Sequence, residues 1–151
     1  MGTHLSLKLR GESNELVLSA LVDTEAETSM MHSTIARNIG AWLTNVLTNV
    51  EDVQGEVRTL PIVTAYLNFP SLMNIGGEFA FAMRDEGEGL IVGTDILELS
   101  GITVDTRTHQ LSIKNETWEA FKKLADVGVL IYAGVKRLKV LSRQNAQKNS
   151  D

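Results

Sequence analysis

Leu16-Val17-Leu18-Ser19-Ala20-Leu21-Val22 is apolar at every position but one, and it stops abruptly at Asp23-Thr24-Glu25. A run of this length and composition reads as a β-strand buried on both faces. A carboxylate at its end is costly to bury without a purpose. Taken alone, Asp23 is better explained as a turn residue accepting the next backbone amides. The rest of the chain has to decide between the two readings.

Upstream, Leu5-Ser6-Leu7-Lys8-Leu9 alternates with period two, and residues 11–14 supply a turn, so a hairpin leads into the strand. The opening Met1-Gly2 with Ser6 matches a loose N-myristoylation template, but the same residues already begin the alternating strand. Downstream, residues 33–40 read as a short helix. Ser33 is placed to cap it, Ile35, Ala36 and Ile39 form its apolar stripe, and Gly40 suits its end. Residues 57–69 form a second strand region, entered from the polar stretch 49–55 and closed by Pro70, and residues 78–83 alternate again.

A second wholly apolar strand, Leu90-Ile91-Val92, ends at Gly93. Thr94 or Asp95 can cap the helix that follows, with Glu98 placed as in a capping box, and Gly101 ends it. Residues 102–104 and 110–113 then flank Asp105-Thr106-Arg107-Thr108-His109 as a closing hairpin. Two apolar strands, each ending in a loop, lie about 70 residues apart with a glycine-containing polar hairpin between them.

That order resembles the retropepsin family, the single-lobe aspartic proteases of retroviruses, retrotransposons and related cellular proteins. Ala20-Leu21-Val22-Asp23-Thr24-Glu25-Ala26-Glu27-Thr28-Ser29 is similar to the family's apolar-apolar-Asp-Thr-Gly-Ala segment. Leu90-Ile91-Val92-Gly93-Thr94-Asp95-Ile96-Leu97 resembles its second signature, and the 102–113 hairpin its closing strands. The resemblance covers residues 5–113. It implies a mostly β fold, a closed single-lobe acid-protease β-barrel with short helices. It further implies a homodimer in which two copies of Asp23 share one proton and activate a water against a peptide bond. Two carboxylates so close cannot both ionise, because the second charge would form against the field of the first.

By the same resemblance Thr24 reaches across the two-fold axis, and Thr24, Glu25 and Ala26 form the active-site loop. Ile91, Val92 and Gly93 support that loop from behind, with glycine allowing close approach. A flap spans residues 49–59 with Asp52, Val53, Gln54, Gly55 and Glu56 at its tip. One residue departs from the pattern: Glu25 stands where the family has the glycine that lies against bound peptide. Viral members also carry an Arg after the second-signature glycine, and Thr94-Asp95 stands there instead. The expected activity is that of an aspartic endopeptidase acting on peptides or unfolded protein. The alternative is a catalytically impaired relative that uses the dimeric groove for binding.

Composition removes other classes. The 151 residues contain no cysteine, which excludes disulfides and thiolate chemistry and fits a reducing, cytoplasmic setting. The three histidines are scattered without metal-ligand spacing, so no metal and no other cofactor is expected. Gly87 and Gly89 lie in an acidic loop, not a phosphate cradle. No apolar run is long enough for a bilayer, so no membrane partner is expected. The net charge of −5 conceals an asymmetry, −9 over residues 1–113 and +4 over residues 114–151. The second stretch carries both signs and a stripe of Trp118, Phe121, Leu124 and Ala125. It reads as a mostly helical C-terminal extension with a frayed end, and no nucleic acid is expected to bind it.

Overall fold

The computed structural model describes residues 2–105 and 107–114. The helical extension expected over 115–151 lies outside the described residues. Within them the chain is mostly β, with two short helices.

Strands β1 (Gly2–Arg10) and β2 (Glu15–Asp23) form one long antiparallel hairpin in register from Arg10↔Glu15 to Gly2↔Asp23. The strand expected at residues 5–9 is therefore longer at both ends. Its alternation holds: Leu7 and Leu9 are buried, and Lys8 lies on the other face. The expectation that residues 16–22 are buried on both faces is corrected. Only Ala20 and Val22 are fully buried, Leu16 and Leu18 pack half-buried against the core, and Val17 is 65% exposed, because the first half of β2 has a single covered face.

After β2 come β3 (Met30–His32), helix α1 (Ser33–Ile39), β4 (Trp42–Glu51) and β5 (Val57–Phe69). A 3₁₀ turn at Pro70–Leu72 leads to β6 (Ile75–Arg84), and β7 (Leu90–Val92) precedes helix α2 (Thr94–Ser100). Strands β8 (Ile102–Asp105) and β9 (Gln110–Ile113) make the expected closing hairpin as a separate two-stranded sheet. The main sheet runs β1-β2-β7-β3-β6-β5 and closes on itself where β5 pairs back to β1 through Leu9↔Leu67. A six-stranded barrel results, and full closure leaves no free edge within it. The 13-residue β5 is long enough to serve two purposes. Its second half completes the barrel, and its first half projects with β4 as a hairpin.

Strands β3 and β4 carry too weak a pattern to be read from sequence. Three residues are too few for a period, and β4 alternates poorly because Leu43, Val46 and Leu47 are all exposed around an irregularity between Leu43 and Leu47. The core is filled by Phe69, Phe79 and Phe81 with Leu7, Leu9 and Met31, all essentially without exposure.

Both helices sit where the spacing predicts, but their caps differ. His32 is the N-cap of α1, its Nδ1 accepting from Thr34 N at 3.1 Å. Ser33 is turned inward instead, donating to Asp85 Oδ1 at 2.5 Å. At α2 the N-cap position is Gly93, and no side chain caps the helix. Asp95, inside the first turn, accepts from Ser29 N, Ser29 Oγ and Ile96 N, and Glu98 makes no capping box. Gly40 and Gly101 end the helices as expected, in the left-handed conformation with φ of 70° and 69°. Among the described residues no helix is long and apolar enough to cross a membrane.

Candidate active site

The barrel places the loop that follows Asp23 at the junction of three strands. Residues 24–29 leave β2 and return as β3, and β7 lies between those two strands, parallel to β2 and antiparallel to β3. All three residues of β7 are buried, as expected for a strand covered on both faces. Both ends of the loop are thus fixed by one short apolar strand.

Asp23, the last residue of β2, is half-buried. Its Oδ1 accepts from Glu25 N at 2.9 Å, and its carbonyl accepts from Ala26 N at 3.2 Å. The carboxylate is therefore oriented by its own loop. Thr24 is exposed, and its hydroxyl has no hydrogen-bond partner among the described residues. Glu25 is exposed as well, and it lines the same cleft as Asp23.

Gly93 backs this loop closely. A Cβ there would stand 2.5 Å from the Ala26 carbonyl oxygen, so no larger residue fits without displacing the backbone. Thr94 N donates to that same carbonyl at 2.8 Å, and Gly93 N donates to Ser29 Oγ at 2.8 Å. Ser29 is fully buried and donates in turn to Asp95 Oδ1 at 2.6 Å. Of the residues expected to support the loop, Gly93 touches it, Ile91 reaches the cleft, and Val92 belongs to the core.

The β4–β5 hairpin arches over the loop, and a cleft of about 770 Å³ separates them. Asp23, Glu25, Ala26, Glu27, Thr28, Met30 and Ile91 line it from one side. From the hairpin come Asn49, Val50, Glu51, Asp52, Val53, Arg58 and Leu60, with Arg84 from the end of β6. The hairpin tip is a tight turn: Asp52 Oδ1 accepts from Gln54 N and Glu56 N, both at 2.9 Å, and Gly55 has φ of 86°. Asp52 and Val53 face the cleft, whereas Gln54, Gly55 and Glu56 are exposed at the tip and do not line it.

An ion pair between Arg58 and Glu86 ties the hairpin to the loop after β6. The Arg58 hydrogen bond and charge hold the Glu86 carboxyl below its ordinary range, and Glu86 raises Arg58 correspondingly. Both groups are solvent-exposed, so the pair is a screened, modest restraint. Among the described residues no cluster of His, Asp and Glu could hold a metal ion.

Sequence reasoning missed the link of Ser29 to Asp95 and the cleft residue Arg84, and it covered Glu27, Glu51 and Arg58 only as members of the motif stretch and of the 49–59 flap, with no role of their own. Asp95 is visible as part of the second signature, but nothing marks Ser29 as its partner. Arg58 and Arg84 belong to strands whose lateral order only the barrel closure reveals.

Neither a scan of protein-family models nor a search of curated proteins finds a match. Among solved structures the chain is similar to the retroviral protease-like domain of Ddi1 from Leishmania major. The identity is 25%, over 75% of this chain and 88% of that one, with a TM-score of 0.49. It is also similar to EIAV protease complexed with the inhibitor HBY-793, at 17% identity over 65% of this chain and 86% of that one, again with a TM-score of 0.49. By its own strand order, its closed barrel and the Asp23 loop backed by Gly93, the fold is retropepsin-like.

Proposed function

We propose that the protein is a homodimeric aspartic endopeptidase acting on extended peptide segments, with Asp23 of each subunit supplying half of the site. The observation that carries this reading is the position of Asp23: half-buried at a strand end, oriented by the Glu25 amide, and facing a cleft beneath a projecting hairpin. A lone carboxylate cannot accept a proton from water and deliver one to the carbonyl oxygen in the same step, so the scheme calls for a second copy. The exposed Thr24, whose hydroxyl is unpartnered among the described residues, offers a contact across the two-fold axis.

In the dimer one Asp23 is ionised and the other protonated, since the two charges repel at short range. The ionised carboxylate takes a proton from water as the water oxygen bonds to the peptide carbonyl carbon. The protonated partner passes its proton to the carbonyl oxygen, giving a gem-diol. On collapse the C–N bond breaks, the nitrogen takes a proton from one carboxyl, and a diol hydroxyl returns its proton to the other. The pair ends with one shared proton, as it began. The β4–β5 hairpin covers the substrate and limits access of water. No residue of this scheme calls for a metal or other cofactor, and the cysteine-free chain suits a cytoplasmic setting.

The test is cleavage of an unfolded protein across acidic to neutral pH, by the native protein and by Asp23→Asn. Activity abolished in the variant, with sedimentation showing a dimer in both, supports the reading. Activity that persists in Asp23→Asn, or a protein that sediments only as a monomer, overturns it. One observation favours a second reading, a binding module that has lost catalysis: Glu25 lines the cleft beside Asp23, where a substrate backbone would lie.

A further inference from the structure

Charge is distributed unevenly around the cleft. Asp23, Glu25, Glu27, Glu51 and Asp52 bring carboxylates to it, against the two cations Arg58 and Arg84. Arg58 is already committed to Glu86, which lies outside the lining. The acids come from both walls, Glu25 and Glu27 from the loop and Glu51 and Asp52 from the hairpin. Between them the lining is apolar, notably Met30, Val53, Leu60 and Ile91.

An extended peptide sends successive side chains to opposite sides. In this cleft a Lys or Arg side chain meets carboxylates whichever wall it faces, and an acidic one meets like charge. Asp52 is occupied by the two backbone amides of the hairpin tip, and Asp23 is the candidate for chemistry. Glu27 and Glu51 are left with carboxylates that accept no hydrogen bond from the described residues. We infer that the cleft selects extended peptides carrying Lys or Arg among apolar residues, and that Glu27 and Glu51 determine this selectivity. The inference rests on the proposed function only in taking this cleft as the peptide site; it does not require that the peptide be cut.

The test separates binding from catalysis by using Asp23→Asn protein. Two dye-labelled peptides share the same apolar residues and differ in carrying Lys or Glu at the alternate positions. Fluorescence anisotropy is expected to show the Lys peptide binding about tenfold tighter or more, with the gap shrinking as salt screens the charges. Glu27→Gln together with Glu51→Gln should bring the two affinities close together. As a control of equal charge, Glu12→Gln with Glu98→Gln, on exposed residues outside the cleft lining, should leave the gap in place. Equal affinity for the two peptides, or failure of both to bind, overturns the inference. So does a gap that the control pair narrows as much as the cleft pair, which would trace it to overall charge. Cleavage by the native protein is read separately, so loss of the endopeptidase reading and loss of this one give different results.

Discussion

Ser29 and Asp95 are joined twice: Ser29 Oγ donates to Asp95 Oδ1 at 2.6 Å, and Ser29 N donates to Asp95 Oδ2 at 3.0 Å. The same serine oxygen accepts from Gly93 N, so one buried hydroxyl connects the loop after Asp23, the end of β7 and the start of α2. The second signature lacks the arginine that the resemblance to viral proteases leads one to expect. Here Asp95 serves the neighbouring segment through neutral hydrogen-bond donors instead of an ion pair.

Ser29→Ala removes the hydroxyl and leaves Gly93 N without its acceptor, while Asp95 Oδ1 keeps only the Ile96 amide, at 2.8 Å. Leaving such groups unsatisfied in the interior costs about 1–3 kcal/mol. Urea unfolding is expected to show a loss in that range, with cleavage falling further than stability alone explains because the loop loosens. Asp95→Asn keeps one acceptor and should cost less than Asp95→Ala. A Ser29→Ala protein as stable as the native one would show that the network carries no weight.

Gly93→Ala tests the close approach behind the loop. The added Cβ would meet the Ala26 carbonyl oxygen at 2.5 Å, which is backbone and cannot rotate aside. Either β7 or the Asp23 loop must shift, at a cost of about 1–3 kcal/mol by analogy with overpacked cores. The strain falls on the loop that positions the candidate water-activating carboxylate. Thermal unfolding should register the loss, and cleavage or peptide binding should weaken with it. Unchanged stability would mean that the loop yields freely, against the hydrogen bond from Thr94 N to Ala26 O.

The barrel was legible because its central strands obey simple patterns. Leu7 and Leu9 alternate into the core, Leu90 to Val92 are continuously apolar, and Gly40 and Gly101 end helices where the left-handed conformation demands it. What sequence could not give depends on lateral neighbours. The caps of α1 and α2 went to His32 and Gly93 because Ser33 and Asp95 found partners across the fold, at Asp85 and Ser29. Strand β4 carries no readable alternation because a projecting hairpin has little core to alternate against, and its apolar Leu43 and Leu47 stay exposed. Asp23, Glu25 and the hairpin tip stand out in the sequence itself. Their gathering around one cleft with Glu27, Glu51 and Arg84 follows from barrel closure, which no local pattern encodes.

The Arg58–Glu86 pair should restrain the hairpin in a pH- and salt-dependent way. The folded state lowers the Glu86 carboxyl, chiefly through its hydrogen bond with Arg58. Its contribution is therefore fully present above the ordinary carboxylate range and is lost as pH falls through the lowered value. Limited proteolysis at the exposed tip, residues 53–56, is expected to run several-fold faster in Glu86→Gln than in native protein at neutral pH and low salt. The difference should vanish in high salt, and also in acid, where the native carboxyl is itself protonated. Equal tip proteolysis of the two proteins at neutral pH and low salt would place control of the hairpin elsewhere.

Glu25 bears most directly on whether the cleft can catalyse. It stands where the family resemblance calls for glycine, it lines the cleft, and its backbone amide donates to Asp23 Oδ1 at 2.9 Å. The amide survives any substitution except proline, so the orientation of Asp23 should withstand changes of the side chain. Glu25→Gly is expected to raise peptidase activity, from zero or a low baseline, without abolishing the dimer. It clears two carboxylates per dimer from the channel and lowers the negative charge around the paired aspartates. Glutamine separates the two effects. If bulk is the obstacle, Glu25→Gln stays nearly as inactive as native protein, because the side chains have almost the same size. If charge is the obstacle, Glu25→Gln recovers much of the activity, because it removes the negative charge while keeping the bulk. An already active enzyme that Glu25→Gly cripples would show that the carboxylate takes part in the site, and the reading as an impaired protease would lose its main support.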